Sequence, residues 1–183
     1  MTESDIELLV RNDSSMMDVL RAAEEVDLPD WWIGAGFLRN KVWDALEGNA
    51  SVKPRDVDLV YFNQVDTAKE TDLEYESKLK TLYPIAEWEV RNQARMHEKN
   101  GFEPYSSTAE GISRWVETAT CVAVRIKNDE LEFLYCHGSA DLLGLIARPI
   151  PDFQHPDRIH LFHERIAQKG WRERWPHLTV LES

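Results

Sequence analysis

Apolar residues recur along this chain in two rhythms that take turns. Met16, Leu20, Ala23 and Val26 fall at three- and four-residue intervals behind Ser14 and Ser15, either of which can cap a helix with one buried face. Before it, Ser4-Asp5-Ile6-Glu7 has capping-box spacing and opens a short helix to about Asn12. Pro29 follows, Trp31-Trp32-Ile33 reads as a short buried strand, and Gly34-Ala35-Gly36 reads as a tight turn. Leu38, Val42 and Leu46 share one face of a helix that ends near Gly48. Past a loop over residues 49–55, residues 57–62 form a β-rich run. Thr71-Asp72-Leu73-Glu74 is a second capping box, starting a helix that turns Tyr75, Leu79 and Leu82 inward. Ala86, Trp88 and Val90 alternate with Glu87 and Glu89, the period of a half-buried strand.

Residues 92–99 read as helix, stopped by Asn100-Gly101, and Ser107-Thr108-Ala109-Glu110 caps a short helix to Trp115. Asn128-Asp129 is a two-residue hairpin turn. Its register sets Val122 against Tyr135, Val124 against Phe133 and Ile126 against Leu131 on one face. On the other face it sets Arg125 against Glu132, a cross-strand ion pair, and it brings Cys121 opposite Cys136. Residues 140–146 form a short helix, Pro149, Pro151 and Pro156 bracket a loop, and Ile159, Phe162 and Ile166 mark a last helix closed by Gly170. Strands interspersed with helices, plus a hairpin, predict an α+β fold: a mixed sheet with helices packed on it.

At 183 residues the chain has the length of one domain, read as N-terminal helices (1–28), a glycine-turn and carboxylate core (29–92) and a hairpin with C-terminal helices (93–183). A formal net charge of −12 repels phosphate backbones at long range and disfavours a nucleic-acid partner, whereas a small nucleotide's charge can be offset by one divalent metal. No apolar run approaches the roughly 20 residues that span a bilayer. The acidic start Met1-Thr2-Glu3-Ser4-Asp5 lacks the order of a signal peptide, so a cytoplasmic, membrane-free protein with two reduced thiols is expected.

The chemistry-bearing stretch runs from Trp32 to Phe62. Gly34 and Gly36 at a strand-to-helix turn let the backbone approach a ligand, and the exposed N–H groups at the helix start suit a phosphate. Arg39 and Lys41 follow in the first turns of that helix as triphosphate candidates. Asp56 and Asp58, at i and i+2, project from one face of a strand. Two carboxylates so close raise each other's pKa unless a cation sits between them, and hard oxygen ligands favour Mg²⁺ or Mn²⁺. A dinucleotide site fits less well. Arg39 occupies the third glycine position, and the aspartates begin their strand where a ribose-binding acid would end it. Arg95 and His97 read either as phosphate or acceptor contacts or as packing. Glu117, Thr118 and Thr120, at the start of the hairpin, are candidates for the acceptor side, and Asp141 reads as a helix cap. His160-x-x-His163 lacks the spacing of a helical zinc pair, and no cysteine lies near it.

Gly34-Ala35-Gly36-Phe37-Leu38-Arg39-Asn40-Lys41-Val42-Trp43, Asp56-Val57-Asp58-Leu59-Val60-Tyr61-Phe62 and Asn92-Gln93-Ala94-Arg95-Met96-His97 together resemble a bacterial nucleotidyltransferase-like family of the DNA polymerase beta-like superfamily. The resemblance extends through Trp115-Val116-Glu117-Thr118-Ala119-Thr120, Asp141-Leu142-Leu143, Arg148-Pro149, Lys169-Gly170-Trp171 and Trp175-Pro176. It implies a palm-like sheet, two Mg²⁺ ions and transfer of a nucleoside monophosphate from an NTP, with ATP as the expected donor, to a small-molecule or protein acceptor. Nucleotide sensing without turnover on the same fold is the alternative. In that family's terms Gly34, Ala35 and Gly36 would hold the triphosphate, and Asp56 and Asp58 would bind the metals. Glu89 matches the place of a third carboxylate, with Glu87 in reserve. Ala35 stands where the superfamily commonly has Gly or Ser.

Overall fold

The computed structural model describes residues 1–50, 54 and 56–182, so much of the predicted loop 49–55 lies outside the described residues. Helices α1 (Glu3–Arg11) and α2 (Ser14–Val26) precede strand β1 (Trp32–Gly34), helix α3 (Gly36–Glu47) and strand β2 (Asp56–Tyr61). Helix α4 (Lys69–Leu82) leads to β3 (Glu87–Asn92), a single 3₁₀ turn (Gln93–Arg95) and the short helices α5 (Met96–Asn100) and α6 (Thr108–Ser113). Strands β4 (Val122–Lys127) and β5 (Glu130–Tyr135) form the hairpin. The C-terminal part contains α7 (Ala140–Leu143), β6 (Ile146–Ala147), α8 (Pro151–Gln154), α9 (Ile159–Lys169), α10 (Trp171–Arg174) and β7 (Thr179–Val180).

Five strands make one mixed sheet in the order β3-β2-β1-β4-β5, with β2 and β3 parallel and the other pairs antiparallel. The hairpin register is the predicted one: Val122 faces Tyr135, and Arg125 Nε donates to Glu132 at 2.6 Å. Asn128 and Asp129 both take positive φ, the backbone that a two-residue turn between right-twisted strands requires. Both cysteines are free, and the Cys136 N–H donates to the Cys121 carbonyl at 3.1 Å.

Several local expectations are corrected. The first capping box is Thr2 with Asp5, two residues before the one predicted at Ser4 and Glu7, and α2 is capped by Asp13, which accepts from Ser15 and Met16. Helix α4 starts at Lys69, ahead of Thr71, and leaves Leu82 exposed. Residues 92–99 are not one helix: Asn92 is the last strand residue, and its side chain bonds the backbone of Asn63, Asp66 and Ala94, which forces the tight 3₁₀ turn. The helix predicted over 140–146 stops at Leu143 because Ile146 pairs with Thr179 in a second, parallel two-stranded sheet.

The two sheet faces are covered differently. Val57, Leu59 and Tyr61 of β2 and Trp88 and Val90 of β3 are buried in the main core with α1–α4. Trp43 anchors the C-terminal segment to this core. It packs edge-on against Trp175 at 4.9 Å and Trp171 at 5.5 Å, and its indole N–H donates to the Leu142 carbonyl at 3.0 Å. Each such ring pair contributes about 0.5–1.5 kcal/mol beyond the area it buries. Asp44 adds hydrogen bonds from Arg174 and from the Trp175 indole. On the opposite face Trp32, Val60, Ala123, Ile112, Ile150 and Phe153 form a smaller cluster that leaves part of β2 and β3 open. No helix among the described residues is long and apolar enough to cross a membrane.

Candidate active site

Alternation along β2 sends Val57, Leu59 and Tyr61 into the core and leaves Asp56, Asp58 and Val60 on the open face. The parallel register sets Asp56 beside Glu87 and Asp58 beside Glu89. Asp56, Asp58 and Glu89 line one cleft of about 450 Å³, together with Ala35 at the start of α3 and Thr120 before β4. Burial, and then the negative charges of Asp56 and Glu89, push the Asp58 carboxyl up to about 6, against the pull of Lys169 and Arg39. Glu89 is half-exposed and turned toward Arg91, 3.2 Å away. Among the described residues no three His, Cys, Asp or Glu side chains gather closely enough to hold a metal ion together. The donor set nonetheless suits a hard cation at Asp56 and Asp58, because two oxygen ligands repel each other there and one is held above its ordinary pKa.

The turn into α3 has unusual backbone geometry. Ala35 sits at φ 52 and ψ −124, a conformation that side chains rarely adopt, and its N–H bonds the Val122 carbonyl at 3.2 Å. The N-cap residue Ala35 makes no side-chain cap bond, and it lines the cleft, so the positive end of the 12-residue helix α3 borders the cleft at Ala35. Gly34 serves packing: a Cβ there would lie 2.5 Å from the Trp115 ring, and Trp115 forms one cleft wall. At Gly36 a Cβ would come within 3.1 Å of the Asn40 side chain.

Other predicted residues lie away from the cleft surface. Arg39 is buried behind it, donating to Thr120 Oγ1 at 2.7 Å and lying over the Trp171 ring at 4.4 Å; burial lowers its pKa to about 10. Lys41 reaches Asp13 at 2.7 Å and borders a separate hollow near α1. Arg95 is ion-paired with the buried Asp72, which also accepts from the Tyr61 hydroxyl at 2.9 Å. His97 packs edge-on against Tyr105. Thr118 donates to Asp141 at 2.6 Å; Asp141 also accepts from Arg148 and does not cap α7 by a side-chain bond. Glu117 is fully buried, 2.7 Å from Arg165 Nε, and neither of its oxygens has a hydrogen-bond partner among the described residues.

Sequence reasoning missed the basic wall. Arg91, Lys99, Arg114, Arg165 and Lys169 line the same cleft as the acids. They come from β3, α5, the end of α6 and α9, so no run of positive charge announces them. The one legible signal is the i, i+4 spacing of Arg165 and Lys169 on α9.

Comparison with known proteins agrees with this architecture. The family model described as nucleotidyltransferase matches residues 21–180. A solved structure described as revealing a CCA-adding enzyme head domain superposes with a TM-score of 0.89 at 29% identity, over 100% of this chain and 97% of that one. A CCA-adding enzyme in complex with CTP superposes with a TM-score of 0.53 at 17% identity, over 92% of this chain and 47% of that one. A tRNA-processing enzyme superposes with a TM-score of 0.53 at 18% identity, over 89% and 44%. The chain thus spans about half the length of these two larger proteins, and at such identity they speak to the fold alone. A search of curated proteins finds no match. With a mixed five-stranded sheet, an acid-lined cleft at the start of α3 and a family match over most of its length, this chain belongs to the nucleotidyltransferase family.

Proposed function

We propose that the chain transfers a nucleoside monophosphate from an NTP to a hydroxyl-bearing acceptor, and that the transfer depends on Mg²⁺ or Mn²⁺. The observation that carries this reading is the shared cleft of Asp56, Asp58 and the uncapped start of α3. The triphosphate lies along that helix start, where N–H groups and the helix dipole favour negative charge. Asp56 and Asp58 would hold the divalent ions, and Glu89, now paired with Arg91, is the third carboxylate that would join them. A bound ion supplies charge neutralisation on the triphosphate and on the departing pyrophosphate. The acceptor oxygen forms the new bond to the α-phosphorus, and the bond from that phosphorus to the β-phosphate bridge breaks. Pyrophosphate and one proton are released.

Arg39 acts as a positioning group behind the cleft, holding Thr120 on the cleft wall. ATP is the first donor to test, and the CTP complex of the larger CCA-adding enzyme puts CTP second. The experiment is an NTP panel with Mg²⁺ or Mn²⁺ against a metabolite extract, read as pyrophosphate release and label transfer from α-labelled NTP. Transfer that disappears in Asp58→Ala supports the reading; transfer unchanged by that substitution overturns it.

A second reading is nucleotide binding without turnover. It is favoured by the Glu89–Arg91 pair, which leaves two carboxylates where the resemblance implies three. In that case NTP binds and no pyrophosphate forms.

A further inference from the structure

Beside the cleft lies a second hollow of about 390 Å³, bordered by Arg158, Leu161, Glu164 and Gln168. It shares Lys99, Val116, Phe153, Arg165 and Lys169 with the carboxylate cleft, so the two adjoin along one basic wall. A chain with net charge −12 gathers four cationic side chains here against the single acid Glu164. Lys99, Arg158 and Lys169 make no ion pair among the described residues; Arg165 alone is neutralised, by the buried Glu117. Arg158 is held in place from behind. Its guanidinium lies 4.5 Å over the Phe102 ring and donates to the Gly101 carbonyl at 3.2 Å. That leaves a planar cation fixed in orientation on the part of the hollow that the carboxylate cleft does not share, the geometry that suits a phosphate.

We propose that this hollow is the acceptor subsite, and that the acceptor is a small molecule carrying a phosphate monoester besides its attacking hydroxyl. The inference rests on the transfer reading above and names its second substrate by class. Three unpaired cations and one paired one match a dianion better than a single carboxylate. The volume suits one phosphorylated metabolite, within the range of small-ligand pockets, and the strongly negative chain disfavours a nucleic-acid strand. The phosphate is held at Arg158 and Lys99, and the hydroxyl end points along the shared wall toward Asp56 and Asp58.

The test uses the full chain saturated with Mg²⁺ and an NTP analogue that cannot be cleaved between its α- and β-phosphates. Ribose 5-phosphate and ribose are then titrated by calorimetry. The expected result is binding of ribose 5-phosphate at least about fivefold tighter than ribose. Arg158→Gln should weaken it at least about fivefold, whereas Glu164→Gln, an exposed substitution on α9 that removes the acid lining the hollow, should tighten it about twofold. Affinities that ignore both substitutions, or equal binding of the two sugars, overturn the proposal. So does a 5′-phosphorylated RNA oligonucleotide whose binding follows both substitutions while ribose 5-phosphate does not bind. Should the NTP analogue fail to bind, it is the transfer reading that falls. The same titration of the unliganded protein and its two variants then decides the subsite by itself.

Discussion

The two faces of β2 serve different ends. On one face Val57, Leu59 and Tyr61 are buried against the N-terminal helices; on the other, Asp56 and Asp58 stand in a cleft between acids and bases. One face is apolar and closed, and its side chains add stability by leaving water. The other holds a carboxylate that burial and like charge keep near pH 6, an arrangement that works against folding. A six-residue strand therefore separates stability from chemistry by its two-residue period alone, and substitutions one position apart should have opposite kinds of effect.

The largest expected effect is on the open face. Asp58→Ala should lower transfer by on the order of a thousandfold, about 4 kcal/mol of transition-state stabilisation, without loss of the folded state; parallel assays and thermal melts check both. On the closed face Leu59→Ala should cost about 2–5 kcal/mol in denaturant unfolding, because the site cannot collapse around the lost methyl groups.

Asp58→Asn sharpens the comparison through pH. The native carboxyl titrates near 6, above its ordinary value of 3.8, so its ionisation opposes folding. That penalty is absent below about pH 4, grows as pH rises toward 6 and is complete above it, on the order of 3 kcal/mol. The variant should therefore melt higher than the parent above pH 6 and match it below pH 4, and Mg²⁺ should narrow the gap by stabilising only the parent. Equal melting at pH 7 would remove the electrostatic conflict from the account.

Two changes at the α3 turn have smaller effects. Gly34→Ala should cost about 1–3 kcal/mol, since its Cβ meets the Trp115 ring and one of them must move. Ala35→Gly should add about 1 kcal/mol by relieving an unfavourable backbone conformation, measured by chemical denaturation.

Legibility in the sequence followed the same division. The hairpin register was readable because alternation and a two-residue turn leave one solution that buries a single face. The acids were readable because Asp56 and Asp58 stand two residues apart at the start of an otherwise apolar strand, so that both project from one face. The starts of α1 and α2 were displaced by two residues or fewer because Thr2, Ser4, Asp13, Ser14 and Ser15 can all cap, and local sequence does not rank them. The small sheet of Ile146–Ala147 with Thr179–Val180 left no trace, since two-residue strands have no period. The basic wall was hidden for a different reason. Arg91, Lys99, Arg114 and Lys169 each look like a solvated surface charge until the topology brings their elements to one cleft. Lys41 and Arg95 show the converse: both follow motif residues closely, yet helical geometry turns them to Asp13 and Asp72.

The most direct measurement of the central claim is the paramagnetic effect of Mn²⁺ on the protein's amide NMR signals in the presence of an uncleavable NTP analogue. Broadening centred on Ala35, Asp56 and Asp58, and lost in Asp58→Asn, is the expected result. Broadening spread over the acidic surface at large, or unchanged by that substitution, would contradict it.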